Sequence, residues 1–107
     1  MRNMKDQKEI MSHIHVLLHG IDPEAKAYLF GSRARGTATK DSDWDILILV
    51  NKKRVNLSDY DKYSFPLREY GWDINEVINP VIFTKSEWEA NHFTEFNHNV
   101  QQDGIRI

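Results

Sequence analysis

The chain has no cysteine, three prolines and five glycines among its 107 residues. Without cysteine, disulfides and thiolate metal sites are excluded. That absence fits a cytoplasmic protein. Long apolar runs are missing as well. The longest, Ile46 to Val50, is far too short for a membrane span or the core of a signal peptide. The start, Met1-Arg2-Asn3-Met4-Lys5-Asp6, is polar. The expectation is therefore a cytoplasmic protein with no membrane attachment. No charge of one sign dominates, since 14 Lys and Arg stand against 16 Asp and Glu, a formal net charge of −2. A general nucleic-acid binder would be basic, so direct nucleic-acid binding is not expected. No repeat, low-complexity tract or linker interrupts the chain, and one domain over residues 1–107 is expected. A domain of that size buries a real core with little margin.

What is present is patterned. Ile10, Ile14, Leu17, Leu18 and Ile21 recur on one face of a helix. Gly20 supplies a stop, and Asp22-Pro23 a turn. Ala25 to Phe30 reads as a short strand that runs into Gly31-Ser32-Arg33-Ala34-Arg35-Gly36. After a polar loop from Thr37 to Ser42, Asp43 to Val50 reads as a strand buried on both faces. Asn51 to Asn56 is a basic loop, and Ser58 with Asp61 has capping-box-like spacing. A helix is predicted from about Asp59 to Tyr70, stopped by Gly71 and kinked or split by Pro66. Ile74 to Phe83 is rich in β-formers, and Pro80 makes that strand an edge or gives it a bulge. Thr84 and Glu87 form a second capping box, opening a helix over Lys85 to Asn91. A last short helix starts near Thr94 and ends near Gly104. The predicted order is α-β-β-α-β-α-α, an α+β or mixed α/β fold in which helices flank a small sheet.

Two short segments carry chemistry. Gly31 follows a strand, and Ser32 stands where a short helix would begin. Backbone N–H groups at such a start have no partner within the helix and favour a phosphate. Gly31 lets a ligand approach the backbone closely, and the Ser32 hydroxyl adds one hydrogen bond. Arg33 and Arg35 offer charge, but residues two apart do not share a helical face. One arginine can face the ligand while the other faces solvent or a partner. An ordinary Gly-Ser turn with surface arginines would look the same, and neither a Walker A loop nor G-x-G-x-x-G is present.

The second segment is Asp43-Trp44-Asp45. Strand alternation puts both carboxylates on one face, about 6.6 Å apart along the strand. They can converge on a divalent cation such as Mg²⁺, which takes one or two carboxylates together with phosphate and water oxygens. Two like charges in a half-buried place would otherwise repel. The competing reading is a pair of loop acids, one of them a cap. Trp44 should point to the other side of the sheet.

Taken together, Gly31-Ser32-Arg33-Ala34-Arg35-Gly36, a polar loop, and Ser42-Asp43-Trp44-Asp45 leading into an apolar strand resemble the minimal nucleotidyltransferases. These are small members of the DNA polymerase β-like superfamily, and many serve as the antitoxin beside a HEPN-domain ribonuclease toxin. The resemblance runs from the first helix to Thr84-Lys85-Ser86-Glu87-Trp88-Glu89. It implies a mixed sheet flanked by helices, two Mg²⁺ ions about 3.5–4 Å apart, and a nucleoside triphosphate donor, with ATP expected. Gly31, Ser32, Arg33 and Arg35 would bind the nucleotide, and Asp43 and Asp45 would ligate metal. The implied acceptor is a hydroxyl, which a HEPN partner protein could provide. The family usually adds a third carboxylate on a later strand. Here the matching register puts Asn79 at that position, and Glu76, three residues earlier, is the expected substitute as catalytic and metal residue. A bulge near Pro80 would bring Glu76 to the site. A solvated strand residue is the rival reading for Glu76.

A catalytically degenerate member that acts by binding its toxin or another protein is the alternative. Transfer to a small molecule or RNA is a third option. No second domain forms an acceptor pocket, so the acceptor must be large or another subunit, a second copy included, must complete the site. His15 and His19 have i, i+4 zinc-pair spacing but no third ligand. Tyr60, Tyr63 and Tyr70 read as packing residues, and Lys52-Lys53-Arg54 as a solvated loop.

Overall fold

The computed structural model describes residues 6–107. The polar start from Met1 to Lys5 lies outside the described residues. Helix α1 spans Gln7–Ile21. Its start is fixed by Asp6, whose side chain accepts a hydrogen bond from the Lys8 amide at 3.0 Å. It runs through Gly20 and ends at Ile21. The stop is set by the next residue, because Asp22 precedes Pro23 and is driven to extended backbone. Ile10, Ile14 and Leu18 are buried on its inner face.

The sheet has four strands in the order β3-β2-β1-β4. Strand β1, Lys26–Phe30, pairs antiparallel with β2, Trp44–Val50. Strand β3, Ile78–Thr84, lies parallel to β2, from Trp44↔Ile78 to Val50↔Thr84. It is an edge, as Pro80 requires, and the register carries no bulge. The opposite edge is β4, Ile105–Arg106, antiparallel to β1.

Helix α2, Ser32–Arg35, connects the first two strands. A continuous helical segment then runs as α3, Leu57–Asp59, a π-helical turn, Tyr60–Ser64, and α4, Phe65–Asp73. The capping box here is Asn56 with Asp59, two residues before the predicted Ser58 and Asp61. The wide turn lies just before Pro66. A proline ring clashes with the carbonyl four residues back, and a π-helical turn relieves that crowding without ending the helix. Gly71 is inside α4 rather than after it. The chain folds back against it there, and a Cβ at Gly71 would stand 2.8 Å from the Glu76 carbonyl. Residues 74–77 therefore form a turn and not the first part of β3, with Asn75 at φ 59°. Helices α5, Lys85–Ala90, and α6, Glu95–Asp103, open with Thr84 and Thr94 as caps.

β2 is apolar on both sides because both sides are covered. Trp44, Ile46, Ile48 and Val50 face the larger core with Ile10, Ile14, Leu18, Tyr63 and Leu67. Leu47 and Leu49 face a smaller core with Val100, Phe30, Phe83, Trp88 and Phe96. Asp43 and Asp45 share the parity of Leu47 and Leu49, so they emerge on the side of the smaller core.

Candidate functional site

The site lies where the end of β1 meets the start of β2. Phe30 is paired with Asp45, so the next residue, Gly31, reaches the Asp45 side chain. Gly31 has φ 76° and ψ −158°, which L-residues rarely adopt. A Cβ there would overlap the Asp45 carboxylate. Both facts demand glycine, and the second joins the phosphate-type turn directly to the carboxylate strand. Ser32 opens α2, and Gly36 closes it in the left-handed conformation.

Asp45 is half-buried and Asp43 exposed. Burial raises the Asp45 carboxyl above its ordinary range. The neighbouring Asp43 charge adds to that rise, while Asn79 and Arg35 oppose it. Asn79 is paired with Asp45 across the parallel register, and its Nδ2 donates to Asp43 Oδ2 at 2.9 Å. Asp43, Asp45, Asn79 and Gly31 thus form one cluster. Its donors are two carboxylates and one amide, a set of hard oxygens that suits Mg²⁺. A cation would also relieve the Asp43 repulsion that adds to the rise caused by burial. Among the described residues no group of three or more His, Asp or Glu is arranged to hold a metal. The carboxylate part of the site is therefore the pair.

Glu76, expected as the third carboxylate, does not join the cluster. Its Oε1 accepts from Trp44 Nε1 at 2.8 Å and lies 3.5 Å from an Arg33 guanidinium nitrogen. Trp44 is fully buried in the larger core, so Glu76 is committed to the other side of the sheet. The reason is the unbroken register: with no bulge at Pro80, Asn79 keeps the position beside Asp45. Arg33, expected at the nucleotide, is also turned away. Its guanidinium lies 4.3 Å from the Trp44 ring centroid and donates to the Ser42 carbonyl at 2.9 Å. Arg35 is exposed and close enough to Asp45 to lower its carboxyl. The unlike fates of the two arginines follow from helical geometry. Which one turned inward needed the position of Trp44. The His15 and His19 rings lie 4.1 Å apart, with no third ligand among the described residues.

A mixed sheet with helices on both sides, a glycine turn at the end of one strand, and an Asp-x-Asp pair opening the next define a nucleotidyltransferase-type fold. The profile of the nucleotidyltransferase domain family matches residues 6–105, and the chain belongs to that family. It is 31% identical over 100 residues to a protein of Methanocaldococcus jannaschii named provisionally as a protein adenylyltransferase, covering 94% of this chain and 93% of that protein. Solved structures share the fold. A toxin–antitoxin structure with AMP-PNP superposes with a TM-score of 0.62 at 20% identity, over 90% of this chain and 70% of that one. A variant of the toxin–antitoxin pair MntA-HpeT gives a TM-score of 0.61 at 18% identity, with the same coverage. Among the described residues no helix is long and apolar enough to cross a membrane.

Proposed function

We propose that this chain transfers AMP from ATP to a hydroxyl on a partner protein, in a reaction that depends on Mg²⁺. The observation that carries the reading is the seating of Gly31 against Asp45, with Asp43 and Asn79 beside it. Gly31 and Ser32 would hold the triphosphate through backbone N–H groups and the Ser32 hydroxyl. Arg35 would add positive charge from the exposed side. Asp43 and Asp45 would hold the cation, which supplies charge neutralisation at the phosphates. In the reaction the acceptor oxygen bonds to the α-phosphorus and the bond to the β-phosphate bridge breaks. Pyrophosphate leaves and the acceptor proton passes to solvent. Most of the acceleration would come from alignment and fixed charge.

The toxin–antitoxin neighbours and the adenylyltransferase relative support a protein acceptor, and a HEPN-type toxin is the partner proposed. Asn79 favours a second reading. It carries no charge and is a poor base, so a module that binds Mg²⁺-nucleotide and a partner without transfer has a specific observation behind it. Incubation with Mg²⁺, labelled ATP and the product of the neighbouring gene separates the two. Label on the partner, abolished in Asp43→Asn and Asp45→Asn, is expected. Nucleotide binding without label would instead establish the binding module.

A further inference from the structure

We propose that Arg33 and Glu76 are positioning residues, which from the far side of the sheet fix the Gly31-Ser32 turn against the Asp43 and Asp45 strand. The inference rests on the proposed nucleotide site. Helix α2 is a single turn of four residues, too short to hold its shape alone. Its one buried side chain is Arg33, so the direction of the turn is set by what Arg33 binds.

Arg33 binds three groups. The Ser42 carbonyl accepts from it at 2.9 Å, and Ser42 is the residue before Asp43. The Trp44 ring, between the two aspartates in sequence, stacks under it at 4.3 Å. Glu76 Oε1 lies 3.5 Å away and also accepts from Trp44 Nε1 at 2.8 Å. The side chains of Arg33 and Glu76 are only 6% and 15% exposed. A buried guanidinium without its carboxylate is costly, so the pair holds together or fails together. One fastening therefore joins α2, the entry of β2 and the turn before β3. The first two carry Gly31-Ser32 and Asp43 with Asp45, and the third leads into β3, which carries Asn79. Lysine cannot replace Arg33, because it lacks the planar fork and the stacking face.

The experiment compares the parent protein with Glu76→Ala, Glu76→Gln and Arg33→Lys. Binding of Mg²⁺-AMP-PNP is measured by calorimetry, binding of Mn²⁺ alone by spin resonance, and amide exchange over residues 31–36 without ligand. Glu76→Ala and Arg33→Lys are expected to weaken nucleotide binding about tenfold or more and to speed amide exchange. Mn²⁺ binding, held by the aspartates, should change less than about twofold. Glu76→Gln keeps an acceptor for Trp44 Nε1 but removes the charge facing Arg33, so its loss should fall between those of the parent and Glu76→Ala. If Glu76→Ala does not fold, Arg33→Lys carries the same expectations. Loss of Mn²⁺ binding in Glu76→Gln would make Glu76 a metal ligand and overturn the proposal. Parent-like nucleotide affinity in Glu76→Ala or Arg33→Lys would overturn it while leaving the site reading intact. A parent that binds no nucleotide would overturn both.

Discussion

At Gly31 two constraints meet, a positive φ and a side chain with no room for a methyl group. The positive-φ, extended region that Gly31 occupies is essentially glycine-only and costs an L-residue about 1–3 kcal/mol. Gly31→Ala adds displacement of Asp45 to that cost. The expected outcome is a drop in unfolding free energy of at least about 1 kcal/mol by urea titration, together with lost nucleotide binding. Asp45 gives a stability prediction of opposite sign. Its folded carboxyl is raised by burial, so its stabilising contribution is complete only below the unfolded value. That contribution is lost as pH rises through the folded value. At neutral pH without metal, Asp45→Asn should melt higher than the parent, and the gain should vanish near pH 4, the ordinary Asp range. A lower melting temperature at neutral pH would contradict the origin given for the shift. The aspartates and Gly31 were legible in the sequence because spacing and strand alternation fix them. The roles of Arg33 and Glu76 were not, because both depend on where Trp44 lies in the fold.

Among the elements, α1 and β2 were readable because each has a long unambiguous period. β4 has two residues and no period to read. β3 starts four residues later than composition predicts, since Ile74 to Val77 have strand-like composition but close a turn on Gly71. The helix cap was displaced because Asn56-x-x-Asp59 and Ser58-x-x-Asp61 offer the same signal one after the other. Asp59 holds both ends of that cap. It accepts from the Asn56 amide at 3.0 Å and from Lys52 Nζ at 2.5 Å. The Asn56 backbone bond, followed by Lys52, lowers its carboxyl. A lowered carboxyl stabilises the fold above the unfolded value, and that contribution disappears as pH falls through the folded value. Asp59→Ala should cost about 1 kcal/mol at neutral pH, with the gap to the parent closing below about pH 4. A gap that persists at low pH would remove charge from the explanation. Leu18, fully buried on α1, should cost about 2–5 kcal/mol as Leu18→Ala. Chemical denaturation of the variant measures that loss.

For the molecule as a whole, both covered faces of β2 explain how a small domain presents two carboxylates at its rim. The larger core fixes Trp44, and the smaller one supports the side from which Asp43 and Asp45 emerge. The mixed sheet flanked by helices was legible from the order of elements, and the family from the glycine turn and the Asp-x-Asp spacing. The catalytic completeness of the site was not legible, because it turns on Asn79, which brings no charge to the cluster. Asn79→Asp tests that point. Under the transfer reading it should strengthen Mn²⁺ binding about tenfold by adding a charged oxygen. Unchanged Mn²⁺ binding would remove Asn79 from the metal cluster.

The central claim is that Gly31, Asp43 and Asp45 together hold a metal-bound nucleoside triphosphate. Calorimetric titration of the purified protein with AMP-PNP, with and without Mg²⁺, tests it most directly. The account predicts Mg²⁺-dependent binding that falls about tenfold or more in Asp45→Asn. Binding that is absent, or is equal in Asp45→Asn and the parent, would contradict it.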